Sequence, residues 1–223
     1  MNKDKNICLI PARGGSKRIK NKNIRVINGS PLISYAIKCS KRSKIFDRIV
    51  VSTDSKKIAN ISTKYGAEIP FLRSKNISDD RSTILSVVKD TVRRLNLGHE
   101  YKYICVIYAT AANVSHKDLA QAVKKIKKEK SDLLISVTEF DYSPLRAFKL
   151  DNKNYLKFNW KKYALKRSQD LPKLFRDAGQ FFIYKISSID KIKNNIPEKT
   201  SFFKLQRYKA IDIDNFEDLK LLK

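Results

Sequence analysis

Histidine is nearly absent from this chain of 223 residues, which holds only His99 and His116. Two histidines so placed argue against a histidine-rich metal site and against a Ser-His-Asp triad. Cysteine is hardly commoner. Cys8, Cys39 and Cys105 are widely spaced and form neither a disulfide framework nor a zinc spacing. Cys8 and Cys105 sit inside strand-like runs, where cysteine acts as a small buried hydrophobe. Long hydrophobic runs are missing too, since Ile104–Tyr108 and Leu133–Val137 are far too short to cross a bilayer. The opening Met1-Asn2-Lys3-Asp4-Lys5-Asn6 lacks the apolar stretch of a signal peptide. These absences predict a cytoplasmic protein without a membrane partner. Acidic residues are scarce, 22 against 48 lysines and arginines, for a net charge of +26. The cations spread along the whole chain and are densest at Lys124–Lys130, in an amphipathic helical pattern. No aromatic-rich RNA motif, zinc-finger spacing or basic tail accompanies them. A solvated lysine-rich surface that steers anionic substrates is expected, rather than a nucleic-acid partner.

What is present alternates between strand-like and helix-like segments, the pattern of an α/β protein with a largely parallel sheet. A chain of this length suits one sizeable domain that buries its own core. Strands are expected at Ile7–Ile10, Arg48–Ser52, Ile69–Leu72, Tyr103–Tyr108, Leu133–Thr138, Gln180–Tyr184 and Tyr208–Ile213. Helices are expected behind Ser30-Pro31 (an N-cap with proline at N1), over Ser55–Tyr65 capped by Thr53-Asp54, and over Thr83–Leu95. Others are read at Ser115–Glu129, near Ser188–Asn194, and at Phe216–Leu222. Gly66 suits a helix stop. Residues 140–172 lack a clean helical period and read as an excursion, either an oligomer arm or a lid.

The segment after the first strand, Pro11-Ala12-Arg13-Gly14-Gly15-Ser16-Lys17-Arg18, continues to Lys22-Asn23. Glycines let backbone N–H groups close on an anion. Arg13 can fork onto phosphate oxygens, and Lys17 and Lys22 add point charges. Neither a Walker loop nor a G-x-G-x-x-G dinucleotide loop fits these residues. Val50-Val51-Ser52-Thr53-Asp54 puts polar groups at a strand's carboxyl end, where ligands of open sheets gather, although helix capping accounts for Asp54 equally well. Arg73 and the run Ser78-Asp79-Asp80-Arg81-Ser82-Thr83 suit either an anion site at a helix start or an ordinary N-cap. Asp212 and Asp214, at i and i+2, would share one face of a strand and could hold one hard divalent cation, unless Asp214 caps the last helix. Arg167-Ser168-Gln169-Asp170 and Arg176-Asp177-Ala178-Gly179-Gln180 suit either a carboxylated polyol or a hydrogen-bonded loop.

In this order the motifs resemble the CMP-nonulosonate synthetases, the cytidylyltransferases that activate sialic-acid-like nine-carbon keto acids. Phe46-Asp47-Arg48-Ile49-Val50-Val51-Ser52-Thr53-Asp54 belongs to the same series, which runs over most of the chain. Tyr108-Ala109-Thr110-Ala111, Arg146-Ala147-Phe148, Arg167–Pro172 and Asp177–Phe181 are similar to the branch that activates pseudaminic acid. Ala112-Asn113 and Arg81 depart from the family's usual residues. The resemblance implies a Rossmann-like, mostly parallel sheet of the nucleotide-diphospho-sugar transferase type, formed by residues 1–139 and 173–223. A dimerisation excursion at 140–172 would make the chain a homodimer. It implies CTP and a nonulosonic acid (pseudaminic, or else N-acetylneuraminic or legionaminic acid) as substrates, with Mg2+ as cofactor. Arg13, Gly14, Gly15, Ser16, Lys22, Asn23, Arg73, Asp80 and Thr83 would then hold CTP. Tyr108, Arg146, Arg167, Arg176 and Gln180 would address the sugar, with Arg167 reaching across a dimer. Asp212 and Asp214 would hold the metal, with Arg13 stabilising charge on the phosphates.

Overall fold

Strands form where apolar side chains alternate between two buried faces. In β1 (Lys5–Pro11), Ile7 and Leu9 point into one layer, and Cys8 and Ile10 into the other. The chain continues with β2 (Arg48–Ser52), β3 (Tyr101–Ile107), β4 (Leu133–Glu139), β5 (Phe175–Lys185) and β6 (Thr200–Lys204). One sheet takes them in the order β6-β4-β5-β3-β1-β2. β1 pairs in parallel with β2 and β3, and β6 with β4; β5 runs antiparallel to β3 and β4. The α/β class with a mostly parallel sheet is therefore found as expected. This computed structural model describes residues 4–79, 82–193 and 196–222.

Helices cover both faces, as a parallel sheet requires. On one side α1 (Leu32–Ser43), α2 (Lys56–Lys64) and, later in the chain, a helix over His116–Glu129 pack Ile37, Ile58 and Leu119 against Cys8, Ile10 and Phe181. On the other, α3 (Ile84–Arg94) and a 3-10 turn at Ile186–Lys191 bring Val87, Val88 and Ile189 onto Ile7, Leu9 and Ile104. Each such aliphatic side chain contributes roughly 1.5–3 kcal/mol on full burial. The His116–Glu129 helix, α4, begins with a capping box between Ser115 and Asp118. The last helix, α5 (Phe216–Lys220), begins with another between Asn215 and Asp218, so Asn215 and not Asp214 is its cap. Gly66 has φ +87° just past α2, as a helix stop requires.

Several expected elements are different in the structure. Ser30 does not cap α1: Ser30-Pro31 pairs with Val26-Ile27 as a two-residue ribbon, and Pro31 is the capping position. Ser55 caps α2 in place of Thr53-Asp54. Ile69–Leu72 is not a strand: one single bridge falls within it, Leu72 with Thr53, and another just before it, Glu68 with Val50. The expected helix near Ser188–Asn194 is the 3-10 turn, with Asn194 outside the described residues. The 140–172 excursion contains a small hairpin, Phe148–Leu150 against Leu156–Phe158.

The largest correction concerns Tyr208–Ile213, which is not a strand. The strand that does pair with β4 is β6, which the sequence analysis did not anticipate. The segment after β6 instead crosses the end of the sheet with its carbonyls held by side chains. Asn113 donates to Tyr208 O at 2.8 Å, Arg176 to Ala210 O at 3.4 Å, Gln180 to Ile211 O at 3.0 Å and Lys22 to Ile213 O at 2.6 Å. Lys209 meets Asp118 on α4 at 2.6 Å. Burial alone would raise the Asp118 carboxyl, but hydrogen bonds from Lys209 and Ser115 outweigh it and hold the group below its ordinary 3.8.

A charged hydrogen bond of this kind stabilises by about 2 kcal/mol. Asp118→Asn is expected to lower Tm by about 4–8 °C at pH 7, measured by circular dichroism. Because the folded-state value is depressed, the contribution is complete above 3.8 and is lost as pH falls through the lower folded value. The Tm gap between variant and wild type is therefore expected to close in strong acid.

Candidate active site

The loops leaving β1 and β3 at their carboxyl ends enclose a cavity of about 470 Å³. Arg13, Ser16, Lys22 and Asn23 line it from the first loop, Arg73 from the segment after α2, and Tyr108 from the end of β3. Six of the expected site residues thus meet around one space. Gly14 and Gly15 shape the loop rather than line the cavity. A side chain at Gly15 would meet nothing within 4 Å, whereas a Cβ at Gly14 would come within 3.1 Å of Ser55 Cβ. The N–H of Gly14 donates to Asp54 Oδ1 at 2.7 Å, which gives Asp54 a role the sequence reading left open. Asn23, buried, donates from its amide to Arg13 O at 3.0 Å and pins the loop's first turn.

Arg73 is 7% exposed. Its guanidinium donates to Ser52 O at 2.6 Å and to Ile77 O at 3.4 Å, while Nε has no hydrogen-bond partner among the described residues. Burial lowers its pKa, the charge of Asp54 opposes that, and the approach of Arg13 adds to the lowering. A buried cation so weakly compensated favours an anion in the cavity it lines. Asp79 and Ser82 also line the cavity, hydrogen-bonded to each other through Asp79 Oδ1 and the Ser82 N–H at 2.8 Å. The sequence reading had not singled them out within their run. Thr83 turns its hydroxyl to the Ser86 N–H at 3.1 Å as the cap of α3, and does not line the cavity. Asp80 lies outside the described residues.

Across from the basic loop stand the two late carboxylates. Asp214 pairs with Arg18 at 2.7 Å and lies 3.7 Å from Lys22. Asp212 forms no ion pair among the described residues, and its carboxyl is pushed above the ordinary 3.8 by desolvation and then by the charge of Asp214. Among the described residues no group of three His, Cys, Asp or Glu side chains comes together. A metal held here would therefore draw on Asp212, Asp214 and oxygens of a bound substrate. Hard carboxylate donors, one of them lacking a cation, fit a small divalent ion of that kind.

The expected sugar residues divide between places. Tyr108 lines the cavity, with burial and then Asp177 raising its phenol. Gln180 is 1% exposed and donates to Ala178 O, Gly179 O and Ile211 O. Arg176 reaches its own neighbour's carbonyl, Asp177 O, at 3.2 Å. Arg146 lines a second cavity of about 630 Å³ beneath the excursion, and Arg167 forks onto Asp170 at 2.8 and 3.2 Å. The structure does not bring Arg146 and Arg167 to the first cavity.

The profile of the cytidylyltransferase family matches residues 7–223. The chain belongs to that family. It is 40% identical over 220 residues to the pseudaminic acid cytidylyltransferase of Campylobacter jejuni subsp. jejuni serotype O:2, spanning 98% of this chain and 95% of that one. It is 30% identical over 220 residues to the CMP-N,N'-diacetyllegionaminic acid synthase of the same organism, spanning 97% and 93%. Among solved structures, CMP:2-keto-3-deoxy-manno-octonic acid synthetase complexed with CTP matches with a TM-score of 0.67 at 12% identity, over 91% of this chain and 90% of that one. The 4-diphosphocytidyl-2C-methyl-D-erythritol synthase of Anaerococcus prevotii also gives 0.67, at 14% identity, over 98% and 96%. At such identities these two share the fold. No helix of the described residues is long and apolar enough to cross a membrane.

Asp54 holds the basic loop through the Gly14 N–H. Asp54→Ala is expected to weaken binding of a nucleoside triphosphate about tenfold, near 1.4 kcal/mol, with Tm little changed. Isothermal titration calorimetry beside thermal melts checks both.

Proposed function

We propose that the chain transfers CMP from CTP to the anomeric hydroxyl of a nonulosonic acid, with pseudaminic acid the first candidate. A bond forms between the anomeric oxygen and the α-phosphorus, the bond from that phosphorus to the β-phosphate bridging oxygen breaks, and pyrophosphate leaves. The observation that carries this reading is the 40% identity to a pseudaminic acid cytidylyltransferase over 98% of the chain. Arg13, Ser16, Lys22 and Arg73 suit the triphosphate, because guanidinium and ammonium donors gathered in a partly closed space stabilise charge developing on the phosphates. Removing one such preorganised donor typically costs about 3 kcal/mol of barrier.

Asp212, with Asp214, would hold Mg2+. Bound there, the ion would act as a Lewis acid on phosphate oxygens and lower the pKa of a hydroxyl beside it. The chain's own residues orient the rest. Lys22 fixes Ile213 O at 2.6 Å, and so fixes the backbone between the two carboxylates. A second reading, the same transfer to a legionaminic acid, rests on the 30% identity to the CMP-N,N'-diacetyllegionaminic acid synthase.

The excursion supports a homodimer. Phe148, Leu150, Tyr155 and Leu156 of the hairpin are each more than half exposed, and Leu165 is 99% exposed. An isolated two-stranded hairpin is marginally stable by itself, and clustered exposed apolar groups mark an interaction surface. Sedimentation equilibrium is expected to give about twice 25.8 kDa, and Leu150→Asp with Leu156→Asp to shift the species toward the single-chain mass. A wild type that stays at the single-chain mass contradicts the dimer.

Pyrophosphate release from CTP is expected with pseudaminic acid in preference to N-acetylneuraminic and legionaminic acids, and to stop when EDTA removes Mg2+. Asp212→Asn is expected to lower kcat at least a hundredfold at ordinary Mg2+, in line with about 3 kcal/mol of lost stabilisation. Near-normal turnover of that variant would remove Asp212 from the metal site. Turnover on legionaminic acid alone would favour the second reading.

A further inference from the structure

The three helices on one face of the sheet turn cations to the solvent. α2, α1 and α4 lie side by side there, with α1 in the middle against both neighbours. The residues each helix exposes recur at helical spacing. On α1 they are Lys38, Lys41 and Arg42, opposite the buried Ile33, Ile37 and Ser40. On α2 the exposed charges are Lys56, Lys57 and Lys64. On α4 Lys117, Lys124 and Lys128 stand away from the buried Leu119, Val123 and Ile126. Packed helices lie about 10 Å apart, so the three stripes form one broad cationic face. Among the described residues none of these cations has a carboxylate within ion-pair distance. The two carboxylates that the helices do carry are taken, Asp118 by Lys209 at 2.6 Å and Glu129 by Lys125 at 3.6 Å. The other face of the sheet is different. There Arg93 and Arg94 of α3 share Asp90 at 3.2 and 3.0 Å, and Lys89 donates to Ile192 O at 3.0 Å.

None of the exposed cations of α1, α2 and α4 lines the 470 Å³ or the 630 Å³ cavity, so the face is no extension of the site. None of the large apolar side chains exposed elsewhere on the chain stands on these helices. The face offers charge without an apolar wedge, and what it fits is broad and anionic. A charged bilayer matches it in shape as well as in sign, because its phosphates lie in a plane. Duplex DNA is read by an element that enters a groove about 12 Å wide, and here no helix stands clear of its neighbours. Single strands stack on aromatic platforms, and no aromatic is among the exposed residues of the three helices. The lack of a long apolar helix is no obstacle, since a charged face lies on a bilayer without spanning it.

We propose that the face formed by α1, α2 and α4 docks the protein reversibly on an anionic lipid bilayer, held by charged headgroups. Such docking does not depend on the transfer reading.

The test sediments the full-length protein with vesicles of phosphatidylglycerol and phosphatidylcholine in equal parts, and with phosphatidylcholine alone, in about 0.1 M salt. Binding is expected to the first and not to the second. Each cation near an anionic bilayer strengthens binding about fivefold. Arg42→Gln, Lys57→Gln and Lys124→Gln together, one from each helix, are therefore expected to weaken it about a hundredfold. Arg93→Gln, Lys191→Gln and Lys193→Gln remove the same charge from the α3 side, beyond a Debye length from the lipid, and are expected to change binding by no more than about twofold. All six positions are exposed, and unchanged melting by circular dichroism confirms that both triple variants fold. Equal losses in the two would overturn the assignment, because net charge and not this face would then hold the lipid. Absence of binding to the anionic vesicles would overturn it as well. So would release of the protein from them by mixed-sequence duplex DNA at equal phosphate, which would mark the face as a nucleic-acid surface.

Discussion

The arrangement of the site depends on one interruption in a β-ladder. β4 pairs with β5 from Leu133 to Ile135, then resumes at Val137 opposite Asp177, so residues 178–181 of β5 bow out of the pairing. Such bulges bend a strand and re-aim its side chains. Gly179 takes the left-handed turn this needs, and the Phe181 N–H finds Ser136 Oγ at 3.0 Å in place of a ladder partner. Gln180 then lies buried inside the bow, where its amide ties Ala178, Gly179 and Ile211 together. The carbonyl of Gln180 accepts the Tyr108 N–H at 2.9 Å, joining the end of β3 to the same knot. Burial raises the Tyr108 phenol most, and Asp177 and Asp212 add to the rise, so each lies near the end of β3. Buried backbone groups must be paired, and here a side-chain amide supplies the partner that a strand would have supplied.

The surplus of positive charge is put to uneven use. Several carboxylates among the described residues pair with cations near the surface, such as Arg48 with Glu68 or Lys204 with Glu139, where an ion pair contributes little. At the site the accounting differs. Asp214 is neutralised by Arg18 and Lys22 and so fastens the basic loop to the carboxyl-terminal segment. Among the described residues Asp212 forms no ion pair, and the buried Arg73 feels the charges of Asp54 and Asp90 without pairing closely to either.

Much of this was legible in the sequence, for physical reasons that differ by element. Arg48–Ser52 is a short apolar run ending in small polar residues, and it is a strand at those bounds. Ser115 with Asp118 carries its own capping chemistry, so α4 starts where the side chains say. Ile211 and Ile213 alternate with Asp212 and Asp214 like a strand, but the backbone there is held by side chains from distant parts of the chain, which no local pattern reveals. β6 was missed because an edge strand with Phe202 exposed has only a weak alternation. Asp54 reads as a helix cap by spacing. Its contact with Gly14, forty positions away, exists only once β1 and β2 lie side by side. Asp177 stands in the run Arg176–Gln180, which the sequence offers for a carboxylated polyol or a hydrogen-bonded loop alike, and the structure shows its Oδ1 taken by the Gly179 N–H.

The account's central claim is that the basic loop and Asp212 face one another across a single nucleotide site at the 470 Å³ cavity. The crystal structure of the chain with CTP and Mn2+, located by its anomalous signal, tests this most directly. The account predicts the triphosphate against Arg13, Ser16 and Lys22, with the manganese on the Asp212 carboxylate. Nucleotide in the 630 Å³ cavity under the excursion, or manganese remote from Asp212, would contradict it.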